Sequence, residues 1–173
     1  MENQNAFQFQ WNSALGYSVS LFLLINFIYL LLGILTPILY PGNSMKFTEM
    51  FGLVFSPRSD KAAFGKTTLE IVGQNSAIMS TKIAIYQMYF GLYCAIAILH
   101  FFIVWFGLKC GHSWALWALT ASNFAVIFFF ILGARYFSQQ LTPLYFKDLP
   151  PYATIPGLLL PIATVLGWLG LHS

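Results

Sequence analysis

Four stretches of the 173-residue chain, Leu15 to Tyr40, Ile83 to Leu108, Ser113 to Ala134 and Tyr152 to Leu171, contain no Asp, Glu, Lys or Arg. At about 1.5 Å of rise per residue each reaches roughly 30 Å as a helix, the thickness of a bilayer's hydrocarbon core. A chain with four such runs has few other options. Its 8 basic and 5 acidic residues are too few to clothe a water-soluble surface. Soluble, disordered, collagenous and disulfide-scaffold classes are therefore excluded. The expected fold is all-α: a four-helix transmembrane bundle, up-down-up-down, forming a single integral membrane domain over 1–173 with one long extramembrane loop over 41–82.

Local signals punctuate these spans. The Pro41-Gly42-Asn43 triplet is expected to end the first helix, and the first run is expected to be a retained helix, being too long for a signal-peptide core. Between the second and third spans the turn Lys109-Cys110-Gly111-His112 is so short that those helices should be antiparallel neighbours. Ser113 is a candidate cap for the third helix, Trp114 and Trp117 suit the membrane interface, and Pro161 should kink the fourth helix. Within the long loop, Phe47 to Phe55 is apolar enough to lie in the interface, Ser56 to Asp60 reads as a turn, and Leu69 to Met79 as a short amphipathic helix. Lys46, Arg58, Lys61, Lys66, Lys82, Arg135 and Lys147 fall on the loop side, against Lys109 alone on the other. The positive-inside rule then places the loop in the cytoplasm and both termini outside.

Polar groups inside hydrocarbon are costly and so are the first candidates for function. At 100° per residue Tyr86, Tyr89, Tyr93 and His100 form one stripe on the second helix. The first helix aligns Phe22, Asn26, Tyr29, Gly33, Pro37 and Tyr40. On the third, Trp117, Thr120, Phe124, Ile127, Ile131 and Arg135 align, with Asn123 at the edge, and on the fourth Gly157, Pro161, Thr164 and Trp168. All four faces are expected to turn inward. One reading makes them packing surfaces with interhelical hydrogen bonds. The other makes Asn26, Tyr86, Tyr89, Tyr93, His100 and Asn123 the lining of a lipid-, quinone- or isoprenoid-binding cavity, with Arg135 either an anion-binding residue or snorkelling to lipid phosphates.

Other chemistry finds little support. Eight basic residues form no stripe for a phosphate backbone, so nucleic acid is not an expected partner. Cys94 and Cys110 are spaced as neither a redox pair nor a zinc framework. Gly65-Lys66-Thr67 resembles the end of a phosphate loop, but Asp60 stands where its first glycine belongs. A haem between helices needs two axial ligands, and His100 is the only histidine within the spans. The spans carry no Asp or Glu for intramembrane proteolysis or proton-coupled transport. No catalytic residue, cofactor or metal is expected.

The segment Gly107-Leu108-Lys109-Cys110-Gly111-His112-Ser113-Trp114-Ala115-Leu116-Trp117-Ala118-Leu119 resembles the turn of small four-helix bacterial membrane proteins similar to the DoxX-like group. The likeness is clear over those thirteen residues and loose over the four-span layout. It implies a bacterial inner-membrane location and a cytoplasmic position for the turn, opposite to the charge count; it implies no catalytic residue. The functional expectation is a non-enzymatic accessory or scaffold subunit that packs against membrane lipids and a membrane-protein partner or a second copy of itself. A lipid-, quinone- or isoprenoid-binding protein, carrier or enzyme, is the alternative.

Overall fold

The computed structural model describes residues 8–173 and, within them, the side chains of all but 40–44. The described residues are all-α: α1 (Ala14–Phe51), α2 (Pro57–Phe64), α3 (Thr68–Gln74), α4 (Ser76–Phe106), α5 (Ser113–Gln140) and α6 (Pro151–His172), with 3-10 turns at Leu108–Cys110 and Phe146–Asp148. Helices α1, α4, α5 and α6 are long and apolar enough to cross a membrane, as a multi-pass integral membrane protein requires.

The first helix does not stop at Pro41-Gly42-Asn43. It runs for 38 residues, about 57 Å, to Phe51. Proline removes only one donor from a helix, and the segment beyond it has reason to stay helical. Thr48 is fully buried, with Oγ1 3.7 Å from Met79 Sδ and accepting from Lys82 Nζ at 3.3 Å, while Phe47 stacks on Phe51. Gly52 then ends α1 at φ 74°, a left-handed backbone that favours glycine, and its N–H bonds to the Thr48 carbonyl at 2.9 Å.

Residues 41–82 are accordingly not a loop. They comprise the end of α1, the short helices α2 and α3, and the start of α4, folded as a cap. Ser56 caps α2 with Pro57 at its first position, and Thr67 and Glu70 form a reciprocal capping box on α3. Leu69 to Met79 is split at Asn75, whose Oδ1 accepts from Ala77 N at 2.9 Å and starts α4 early. Two buried carboxylates hold the cap. Asp60 Oδ2 accepts from the Leu53 N–H and, at 2.6 Å, from Thr68 Oγ1. Asp148 accepts from Ser56 Oγ at 3.0 Å, from Arg58 at 3.1 Å and from the Tyr145 N–H at 2.9 Å, tying the cap to the α5–α6 connection.

At the opposite end the bundle is tight. Leu15, Val19, Phe22, Val104, Leu108, Leu116, Leu119 and Ala163 form its main core, and Ser18 Oγ donates to the Ala163 carbonyl at 2.6 Å. The pairings Gly33 with Cys94, Asn26 with His100 and Thr48 with Met79 descend along α4 as they rise along α1. A Cβ on Gly33 would lie 2.7 Å from that of Cys94, so glycine there permits the close approach of α1 and α4. Towards the cap the buried core thins to Ile25, Tyr29 and Ala97, and clefts open between the helices.

Two of the expected inward faces are rotated, and on α4 Tyr89 is exposed rather than turned inward. Helix α5 buries Ala115, Leu116, Leu119 and Asn123 and exposes Trp117, Phe124 and Ile131. Helix α6 buries Pro156, Leu160, Ala163 and Gly167 rather than Gly157, Pro161, Thr164 and Trp168. Close helix approach selects the small side chains, and lipid accepts the bulky rings. His112, not Ser113, occupies the cap position of α5.

Candidate functional site

The candidate residues separate into two groups. In the first, Asn26 of α1, His100 of α4 and Ser122 of α5 form one chain of contacts. Asn26 Oδ1 lies 3.1 Å from His100 Nδ1, and His100 Nε2 lies 2.7 Å from Ser122 Oγ. Asn26 and His100 are 4% and 2% exposed. Nδ1 faces the amide oxygen and Nε2 the serine hydroxyl, which also lies 2.7 Å from the Ala118 carbonyl. Both ring nitrogens are used within the protein, leaving neither for a ligand. Asn123, on the next residue of α5, is fully buried and donates from Nδ2 to the Leu119 carbonyl at 2.8 Å.

In the second group, Tyr86, Tyr89 and Tyr93 line a cleft of about 420 Å³ between α4 and α5, partly open to the outside. Val126, Phe129, Phe130 and Gly133 form its α5 wall, and Val54, Phe55 and Tyr152 close it beneath the cap. Tyr93 stacks on Tyr29 at 5.4 Å, and the Tyr86 hydroxyl donates to the Leu53 carbonyl at 3.4 Å. Phe55 wedges against Phe137 and Phe130, with ring centroids 5.1 and 5.9 Å away. The α4 and α5 backbones meet closely near their joining turn, where Gly107 faces Ala115. Farther along, Tyr86, Tyr89 and Phe90 of α4 and Phe129 and Phe130 of α5 line the cleft between them.

Arg135 belongs to neither group and is exposed, two residues beyond Gly133. Thus Tyr86, Tyr89 and Tyr93 share a cavity wall, whereas Asn26, His100 and Asn123 lie in the closed interior. Sequence reasoning missed Ser122, whose signal was a hydroxyl adjoining Asn123 in an apolar run. It also missed Tyr152, Val54 and Phe55, which reach the cleft only through tertiary folding. Among the described residues no group of three or more His, Cys, Asp or Glu could hold a metal ion. The arrangement offers an apolar chamber with phenolic hydroxyls for hydrogen bonding.

No protein-family model, curated protein or solved structure matches the chain.

Proposed function

We propose that this protein is a non-enzymatic lipid-binding membrane protein, with α1, α4, α5 and α6 spanning the bilayer in up-down-up-down order and the apolar chain of a membrane lipid held in the cleft between α4 and α5. The observation that carries this reading is the cleft itself. Its volume of about 420 Å³ is that of a small-ligand pocket, and it is walled by aromatic and aliphatic side chains with a few hydroxyls. Its opening lies between two apolar helices, where the surrounding medium would be lipid. The test is photocrosslinking in vesicles with a phospholipid carrying a diazirine on its acyl chain. Adducts concentrated on Val126, Phe130 and Tyr93 support the reading, and adducts spread evenly over all exposed helix faces count against it.

A second reading rests on a different observation. Helix α5 exposes Trp117, Phe124, Phe128 and Phe129 on its outer surface, an area that suits a membrane-protein partner or a second copy. Native mass spectrometry tests it: a dimer or defined complex supports a scaffold, and a monomer opposes it. In either case the excess of Lys and Arg at the cap end supports a cytoplasmic cap.

A further inference from the structure

A second apolar cleft, of about 230 Å³, lies on the α1 side of the same chamber. Leu31, Leu35 and Leu39 of α1 line it, with Phe47 and Phe51 nearer the cap. Both clefts share Val54, Phe55, Tyr86, Phe90 and Tyr152, so those residues form a ridge with one groove on either side. Among the described residues no charged side chain lines either groove.

The surface at the cap end is positive. Of its acidic residues Asp60 and Asp148 are buried and engaged within the cap, and Glu70 is tied to Thr67. Lys46, Lys61, Lys66, Arg135 and Lys147 are exposed there, with Glu49 and Glu70 as the exposed acids. An exposed cation adjoins the α1 groove, where Lys46 precedes Phe47, whereas Arg135 lies on the α5 face turned away from its groove.

Two grooves meeting at one ridge, under a cationic rim, match a particular class of amphiphile. We propose that the occupant is a two-chain anionic phospholipid, one acyl chain in each groove and its phosphate at the cap-end surface. This rests on the lipid-binding reading above and specifies the ligand class for the same site. A one-chain amphiphile would leave one groove unfilled and forgo that burial.

The test is a native mass spectrometry titration of the delipidated full-length protein in mild detergent with diacyl phosphatidylglycerol, its one-chain lyso form and diacyl phosphatidylcholine. The expected result is a first site preferring the diacyl over the lyso form by at least about tenfold. Gly133→Trp, filling the α5 groove, and Leu35→Trp, filling the α1 groove, should each remove that preference. A Cβ at Gly133 meets nothing within 4 Å, so that variant has room to fold, and its melting temperature checks that it has done so. Lys46→Gln should shrink the preference for phosphatidylglycerol over phosphatidylcholine. Equal binding of diacyl and lyso forms, or loss of binding with Gly133→Trp alone, overturns the two-chain proposal while leaving a one-chain lipid site. Equal binding of the two diacyl lipids by the unaltered protein overturns the anionic headgroup. Binding of every lipid unaffected by either tryptophan overturns both this proposal and the reading on which it rests.

Discussion

His100 Nδ1 sits 3.1 Å from Asn26 Oδ1, a contact between residues 74 positions apart that joins α4 to α1 in the closed half of the bundle. Ser122 extends it to α5 at 2.7 Å. This contact is a structural tie, and its energetics separate it from a ligand site. His100→Leu or Asn26→Leu alone should destabilise the protein by about 1–3 kcal/mol, because each leaves a buried polar partner unsatisfied. The double variant should lose less than the sum, with a coupling of about 0.6–1.7 kcal/mol. Unfolding of the four proteins in mild detergent measures it. Lipid retention should be unchanged in all of them, and its loss in a still-folded His100→Leu would place His100 in the site.

The cap is held more by Asp148 than by its ionic partner. Arg58 is 49% exposed on its side chain, so its ion pair should contribute only about 0–1 kcal/mol. Asp148 is 3% exposed and also accepts from Ser56 Oγ and the Tyr145 N–H. Asp148→Ala should therefore cost about 1–3 kcal/mol and speed proteolysis between Pro57 and Gln74, whereas Arg58→Ala should do little of either. Equal effects of the two would contradict this ordering.

Glu70 adds a local pH dependence. The Thr67 N–H at 2.7 Å and hydroxyl at 2.9 Å both donate to its carboxylate and hold its pKa below the ordinary glutamate value. A depressed folded-state pKa gives stabilisation that is present above the unfolded value and lost as pH falls through the folded one. The start of α3 should therefore fray on acidification, and Glu70→Gln should remove that dependence. Hydrogen exchange at residues 68–71 as a function of pH reads it directly.

The two cysteines report on orientation. Cys110 is exposed in the α4–α5 turn, and Cys94 is half-buried on α4, its Cβ close to Gly33. A membrane-impermeant maleimide applied to intact bacterial cells should label Cys110 if, as the excess of basic residues at the cap end predicts, the turn faces outward. Protection of Cys110 until the cells are opened would favour the cytoplasmic turn that a DoxX-like resemblance implies.

The four apolar helices were legible because an absence of charge over 20 residues or more has one physical outlet. The α1 face of Phe22, Asn26 and Tyr29 was legible for a related reason: its polar and small members must face protein, and all three are buried. Helix α5 defeated the same arithmetic. Apolar residues surround it, so periodicity alone did not distinguish rings facing lipid from small residues facing helices. Pro41-Gly42-Asn43 misled because local turn propensity was overridden by the packing of Thr48 against Met79 and Lys82. In the candidate site, the tyrosines share a stripe on one helix and could be read from spacing. Val54, Phe55 and Tyr152 join them across long sequence separations, which no spacing encodes.

The account's central claim is that the cleft between α4 and α5 holds lipid. Native mass spectrometry of the unaltered protein and of Gly133→Trp, each purified in mild detergent without delipidation, tests this most directly. The account predicts a lipid adduct on the unaltered protein, retained at collision energies that strip bulk lipid, and, in a Gly133→Trp variant of undiminished melting temperature, an adduct stripped at markedly lower collision energy. An unaltered protein that flies bare, or an adduct that survives Gly133→Trp unchanged, would contradict it.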